Sequence, residues 1–306
     1  MTDVKDLVSR LLSGDFRALS RAITVVENDL EGTDEILSAL PAGSDVPLVG
    51  ITGPPGAGKS TLINAIIHAY VSEGKKIAVI AVDPTSPFNF GSILGDRLRM
   101  SDHFNNENVF IRSLATRGSL GGLSAKAIEV SDLVRAAGFD LVIVETVGVG
   151  QSEVEIAGLA DTTVLVLVPE SGDEVQVIKS GVMEIADVFA VNKADRPGAN
   201  IFISNLHHLV HARAETGWKP VIVRTVASRG EGIAELISAI KEHEKSADNP
   251  VKRKAVLLAQ RAWKLMQEKS MKHIDREKMV REIEERLSSG DFHLFRFVQE
   301  KSAGTE

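Results

Sequence analysis

The chain contains no cysteine. That excludes disulfides, thiolate catalysis and cysteine-ligated metal clusters, and it fits a reducing cytoplasm. It also lacks any run approaching the roughly 20 apolar residues needed to span a bilayer. The first residues, Met1-Thr2-Asp3-Val4-Lys5-Asp6, have no apolar signal core. The expectation is a soluble, cytoplasmic protein. Positive charge is in deficit: 35 Lys and Arg stand against 42 Asp and Glu, a net charge of −7. The molecule as a whole therefore offers no electrostatic footprint for nucleic acid or anionic lipid, and neither is expected as a partner.

What is present suits a globular chain that buries a sizeable core: 306 residues, 43% hydrophobic and 25% charged. Residues 1–42 read as helical, with Leu7, Leu11 and Leu12 at helical spacing, then Leu19, Ile23 and Val26 on a second face. Pro41-Ala42-Gly43-Ser44 reads as a linker. From Leu48 onward, short apolar runs rich in Val and Ile alternate with helical segments. The runs are Leu48–Thr52, Ile77–Val82, Leu141–Val144, Thr163–Val168, Val188–Val191 and Val221–Val223. Strands buried on both faces look like this, so the fold class is α/β with a mainly parallel sheet covered by helices. Ligands in such sheets sit at the carboxyl ends of the strands. After Lys245–Pro250, the stretches Val251–Lys269 and Arg281–Leu287 read as mixed-charge helices. An apolar stripe, Ala255, Leu258, Ala262 and Leu265, must pack on something.

Gly53-Pro54-Pro55-Gly56-Ala57-Gly58-Lys59-Ser60 matches G-x-x-x-x-G-K-[ST], after a predicted strand and before a predicted helix, Thr61–Val71. Glycines let the backbone wrap closely around phosphate, and the helix start adds favourable partial charge. Lys59 is expected at the β- and γ-phosphates and Ser60 on magnesium, with Gly53 through Thr61 as nucleotide contacts. The base is chosen elsewhere. Asn192-Lys193-Ala194-Asp195 follows the strand Val188–Val191 with the N-K-x-D pattern of GTPases. The Asp195 carboxylate can accept from both guanine N1–H and the 2-amino group, a donor pair that adenine lacks. Asn192 is expected to brace the loop and meet the base edge, and the Lys193 stem to cover the ring. After the last strand, Arg224-Thr225-Val226-Ala227-Ser228 occupies the place of the loop whose backbone meets the guanine oxygen, a main-chain role for Ala227.

Two acids end strands at the same edge: Asp83, in Asp83-Pro84-Thr85-Ser86, and Glu145, in Glu145-Thr146-Val147-Gly148. The second has the shape of a D-x-x-G switch with Glu for Asp. An acid there can hold magnesium directly or through water. Gly148 can offer its N–H to the γ-phosphate, a hydrogen bond that forms with GTP and breaks on hydrolysis. Lys59, Glu145 and Gly148 are thus the candidate catalytic groups. A domain order follows: 1–42 helical extension, 43–246 P-loop GTPase domain, 247–306 helical region proposed for dimerisation.

The ensemble resembles a known family. The carrying segments are Gly14–Glu27, Gly91–Arg97, Arg117–Gly122, Glu145–Glu153 and Met183–Asp187, leading into Asn192–Asp195. They are similar to the MeaB/ArgK-type G proteins, the GTPases associated with methylmalonyl-CoA mutase. The resemblance covers roughly residues 7–245. It implies a homodimeric GTPase chaperone that binds GTP or GDP with Mg2+. Its partner would be an adenosylcobalamin-dependent acyl-CoA mutase, whose cofactor loading it gates and which it protects from inactivation. It also implies that Asp83, Asp96 and Glu145 are the magnesium-site and switch acids, and that Pro169–Lys179 is a further switch meeting the mutase. Thr85–Phe90 departs from the family's usual Ser-Ser start. Gln151 lies beyond Gly148, so slow basal hydrolysis is expected.

Three other readings share the fold class. A P-loop phosphotransferase needs an acceptor pocket, and no acceptor motif is visible. A nickel-type metallochaperone GTPase needs a His/Cys cluster, and only His207, His208 and His211 offer one. A signal-recognition GTPase carries a methionine-rich domain, and the chain has 6 Met.

Overall fold

A computed structural model describes residues 4–83, 103, 105–115, 125–146, 156–169, 182–211, 218–246, 250–271 and 276–302. Asp96, Gly148, Gln151, Thr85–Phe90 and most of Pro169–Lys179 lie outside the described residues.

Three short helices open the chain: α1 (Val4–Leu12), α2 (Phe16–Glu27) and α3 (Thr33–Ser38). The start of α2 is set by Asp15, whose Oδ1 accepts from the backbone of Arg17 (2.8 Å) and Ala18 (3.1 Å). A carboxylate cap of this kind satisfies donors the helix cannot. The same Asp15 accepts from Arg10 at 2.6 Å, which holds its carboxyl below the usual carboxylate range.

Seven strands follow: β1 (Leu48–Thr52), β2 (Ile77–Asp83), β3 (Val109–Ala115), β4 (Leu141–Thr146), β5 (Thr162–Leu167), β6 (Val188–Val191) and β7 (Val221–Arg224). They form one sheet in the order β3-β2-β4-β1-β5-β6-β7, parallel throughout. Six of these strands coincide with the apolar runs, within two residues at each end. The seventh, β3, was not read from the sequence.

Because a strand's side chains alternate, successive residues of β5 serve two cores. Val164 and Val166 face one layer with Leu62, Ile63, Ile66 and Ile67 of α4 (Lys59–Ser72) and Leu236 and Ile240 of α8 (Ile233–Lys245). Leu165 and Leu167 face the other, with Met183 of α6 (Val182–Ile185) and Phe202, Leu206 and Val210 of α7 (Ala199–His211). The opening helices are not a loose appendage. Helix α2 packs on α5 (Ala125–Ala136). Phe16 meets Phe110 of β3 and Phe139, each at 5.5 Å between ring centroids. Glu27 accepts from Arg112 of β3 at 2.7 Å.

The foot of the sheet, away from the strand ends that bear ligands, is tied by a buried histidine. His243 of α8 meets Thr162 Oγ1 through Nδ1 at 2.8 Å and Asp187 Oδ1 through Nε2 at 3.0 Å. Asp187 Oδ2 in turn accepts from the Thr163 amide at 2.8 Å. One polar chain thus pins α8 to β5 and to the segment entering β6. It fixes the helix that leads away from the loop after β7.

Residues Met1–Leu257 form one compact unit and Leu258–Glu306 a second. The second holds the end of α9 (Pro250–Met271), α10 (Arg276–Ser288) and α11 (Leu294–Ser302). Within it Arg286 pairs with Glu282 (2.9 Å) and Glu300 (2.7 Å), which ties α10 to α11. No helix among the described residues is long and apolar enough to cross a membrane.

Candidate nucleotide site

The site begins where β1 ends. The chain leaves Thr52, winds through Gly53–Gly58 and enters α4 at Lys59. Two glycines here have no substitute. Gly53 has φ 140°, and a Cβ on it would stand 2.2 Å from the Val166 carbonyl oxygen. Gly58 has φ 89°, and its Cβ would stand 2.4 Å from Asn192 Nδ2. The loop is therefore pressed against β5 on one side and the N-K-x-D loop on the other. Lys59 is buried, and its ammonium donates to the carbonyls of Gly53 (2.8 Å) and Pro54 (3.2 Å). The cation that should meet phosphate is held by the loop's own oxygens.

The next strand over supplies an acid. Ile51 of β1 is in register with Glu145 of β4. That register brings Glu145 to the start of α4, where Ser60 Oγ donates to Glu145 Oε1 at 2.9 Å. Beneath them Thr146 Oγ1 donates to Thr52 Oγ1 at 2.9 Å, both residues fully buried. Asp83 is the last residue of β2, and its neighbour Val82 is in register with Thr146. The backbone thus carries Asp83 to the same sheet edge.

Asn192, directly after β6, is the keystone. It is 3% exposed. Its Nδ2 donates to the Ala57 carbonyl at 2.9 Å, bracing the P-loop across 135 positions of sequence. Its Oδ1 accepts from the Ala227 amide (3.1 Å) and from Thr225 Oγ1 (3.3 Å). One side chain therefore ties three loops together. The Ala227 amide is engaged by Asn192, so its contact with a guanine oxygen requires that bond to be shared or exchanged. Lys193 has φ 54°, a left-handed conformation that a lysine rarely adopts, and its ammonium donates to the Gly56 carbonyl at 2.8 Å. Asp195 carries its carboxylate at the exposed rim, 3.2 Å from Arg229 Nη2. A groove of about 840 Å³ runs between α4 and α8, with Thr61, Ala227 and Ser228 in its lining together with His68, Ile237 and Lys241.

The comparisons with known proteins agree with one another. The family described as methylmalonyl Co-A mutase-associated GTPase MeaB matches residues 19–281. The chain belongs to this family. GTPase ArgK of Escherichia coli is 40% identical over 245 residues, 76% of this chain and 73% of that one. The mouse methylmalonic aciduria type A homolog, a mitochondrial protein, is 35% identical over 304 residues, 91% of this chain and 73% of that one. A crystal structure described as a LAO/AO transport system kinase shares the fold at a TM-score of 0.71. It is 27% identical and covers 98% of this chain and 96% of its own. The chain is thus a P-loop GTPase of the MeaB family.

In this MeaB-family GTPase the P-loop, Glu145, Asn192, Lys193, Asp195 and Ala227 all lie at the carboxyl edge of the sheet. The sequence reading missed two features there. One is the threonine pair Thr52 and Thr146. The other is Arg229, two positions beyond Ala227, which the turn at Gly230 and Gly232 brings to Asp195 and which no local pattern signals. His207 and His208 lie exposed on α7. Among the described residues no three His, Cys, Asp or Glu side chains gather into a metal-holding group.

Proposed function

We propose that this GTPase is a magnesium-dependent guanine-nucleotide switch serving an adenosylcobalamin-dependent acyl-CoA mutase, gating its cofactor loading and guarding it against inactivation. The observation that carries the mutase assignment is the match to a mutase-associated GTPase family over residues 19–281.

The donor set fits magnesium. The ion holds oxygens at about 2.0–2.1 Å in an octahedron, which puts adjacent ligands about 3 Å apart. Ser60 Oγ and Glu145 Oε1 are 2.9 Å apart. Ser60 and Glu145 would hold it, with Asp83 and Asp96 as the further acids. When bound, the ion neutralises charge on the β- and γ-phosphates. The protein's own groups do the rest. Gly53–Thr61 cradle the phosphates, and Lys59 leaves the Gly53 and Pro54 carbonyls for phosphate oxygen. Gly148 offers its N–H to the γ-phosphate, and Asp195 accepts from the base. No group among these is a strong general base for water, which favours slow turnover until a partner completes the site.

Steady-state phosphate release, with Mg2+ titrated and with and without such a mutase, tests this reading. The expected result is turnover that requires Mg2+ and rises by about tenfold or more with the mutase, a modest part of what partner-completed GTPase sites achieve. Turnover indifferent to every adenosylcobalamin-dependent acyl-CoA mutase tried would remove the partner assignment and leave the GTPase.

The homodimer belongs to the same proposal. On the second unit Trp263 is 65% exposed, Met266 62% and Phe295 74%. Leu258, which the sequence placed on an apolar stripe, is also exposed. Several large apolar side chains left exposed on one unit support an interaction surface there. Light scattering on the full chain is expected to give twice its 32.9 kDa mass, and the Trp263→Asp, Met266→Asp variant the single mass. A wild-type monomer at micromolar concentration contradicts the dimer.

A further inference from the structure

The acid expected to read the base has a partner within the chain. Arg229 Nη2 lies 3.2 Å from Asp195 Oδ2. The chemistry of the pair is that of the ligand. The N1–C2–N2 fragment of guanine is a guanidine, presenting two N–H donors side by side. One edge of an arginine guanidinium presents the same two donors. A carboxylate placed to accept from guanine is therefore placed to accept from arginine.

Loop geometry puts Arg229 there. It ends the short 3-10 turn Ala227–Arg229. That turn is closed by two backbone bonds, Val226 N–H to Glu231 O at 3.0 Å and Glu231 N–H to Val226 O at 3.3 Å. At Gly232, φ 75°, a Cβ would stand 1.9 Å from the Arg224 carbonyl oxygen, so the turn presses back on the end of β7. The Ala227 amide is tied to Asn192, three residues before Asp195. The tip that carries Arg229 is thus anchored to the loop that carries Asp195. A second acid flanks the guanidinium: Glu231 Oε1 is 3.8 Å from Arg229 Nη1.

We propose that Arg229 is an internal competitor for the base, occupying the Asp195 carboxylate in the nucleotide-free protein and yielding it to guanine by turning to Glu231. The proposal rests on Asp195 as the base reader. The bound state needs Asp195 released, so the pair lowers the fraction of protein ready to bind and raises the apparent dissociation constant by the same factor. Both side chains are substantially exposed, 59% for Arg229 and 35% for Asp195. Exposed pairs of this kind shift an equilibrium by about two- to fivefold, and salt screens them. Adenine has no paired donors for Asp195 and gains nothing by displacing Arg229.

The test is titration of the full-length chain with GDP and ADP at low and high salt, for wild type, Arg229→Gln, Glu231→Gln and the double variant. Arg229→Gln is expected to bind GDP about two- to fivefold more tightly at low salt, mostly through faster association, with the gain fading at high salt. Glu231→Gln is expected to weaken GDP binding in the wild-type background and to have no effect when Arg229 is absent. Weaker or unchanged GDP binding by Arg229→Gln overturns the competitor. A wild-type chain that binds ADP as well as GDP overturns the base-reading role of Asp195 itself, an outcome separate from the first.

Discussion

Lys59→Ala is expected to lower GTP turnover by at least about a hundredfold, the scale on which one preorganised donor to transition-state charge acts. Lys59 opens α4, and its buried ammonium rests on the Gly53 and Pro54 carbonyls, at 2.8 and 3.2 Å. A bound nucleotide brings phosphate oxygens into this loop. The ammonium then exchanges two neutral acceptors for charged ones, which form stronger and shorter bonds. As the γ-phosphoryl leaves, negative charge spreads over its oxygens, and the lysine's contribution grows. Alanine is the best helix former, so α4 loses nothing intrinsic by the change. The loop itself is held by Gly53 against β5 and by Asn192 on Ala57. The variant is therefore expected to fold and to fail in chemistry. Phosphate release at saturating magnesium–GTP, read beside the circular dichroism of both proteins, is the check. A folded variant with wild-type turnover would remove the P-loop as the reacting site.

Asp195→Asn is expected to exchange one base for another. Loss of the carboxylate leaves the N1–H and 2-amino donors of guanine with one acceptor instead of a matched pair. Mismatched polar partners of this kind cost about 1–3 kcal/mol, roughly five- to hundredfold in affinity. Xanthine carries an oxygen where guanine carries the 2-amino group. The asparagine amide can donate to that oxygen while its own oxygen accepts from N1–H. Xanthosine triphosphate should therefore gain as GTP loses. Titrating both nucleotides against wild type and variant reads the exchange directly. An unchanged preference for GTP would take Asp195 out of base reading.

Much of this was legible in the residues. Six strands announce themselves because Val, Ile and Leu run in them without alternation; β1, β4, β5 and β6 are buried throughout, while the edge strand β7 is only partly buried. The seventh, β3, hides because its residues are mixed in character. Its Arg112 faces Glu27 of α2 and Ser113 interrupts the apolar pattern, so Val109–Ala115 reads as mixed sequence. Helix α11 hides behind Ser289-Gly290-Asp291, a sequence that stops a helix without announcing another. In the site, Gly53–Ser60 and Asn192–Asp195 carry the residue types and spacings that binding of phosphate and guanine would demand, and the structure brings the two segments together through Asn192 and Ala57.

The bonds that join the pieces could not be read. Asn192 bridges to Ala57 over 135 positions, and Ser60 to Glu145 over 85. No local pattern encodes such a distance; the order of strands in the sheet does. The same holds for the buried Thr162–His243–Asp187 chain at the foot of the sheet, whose members are separated by up to 81 positions. The Arg229–Asp195 pair is a case apart. Both residues were in plain view, but the turn that folds one onto the other depends on Gly230 and Gly232 in left-handed conformations.

The central claim is that the loops tied together by Asn192 form one site that takes guanine and refuses adenine. The most direct measurement is titration of the full-length chain with GTP and with ATP in the presence of Mg2+. The account predicts GTP binding tighter by at least about a hundredfold, because a site built around paired donors rejects a base that lacks them. Equal affinity for the two nucleotides, or a preference for ATP, would contradict it.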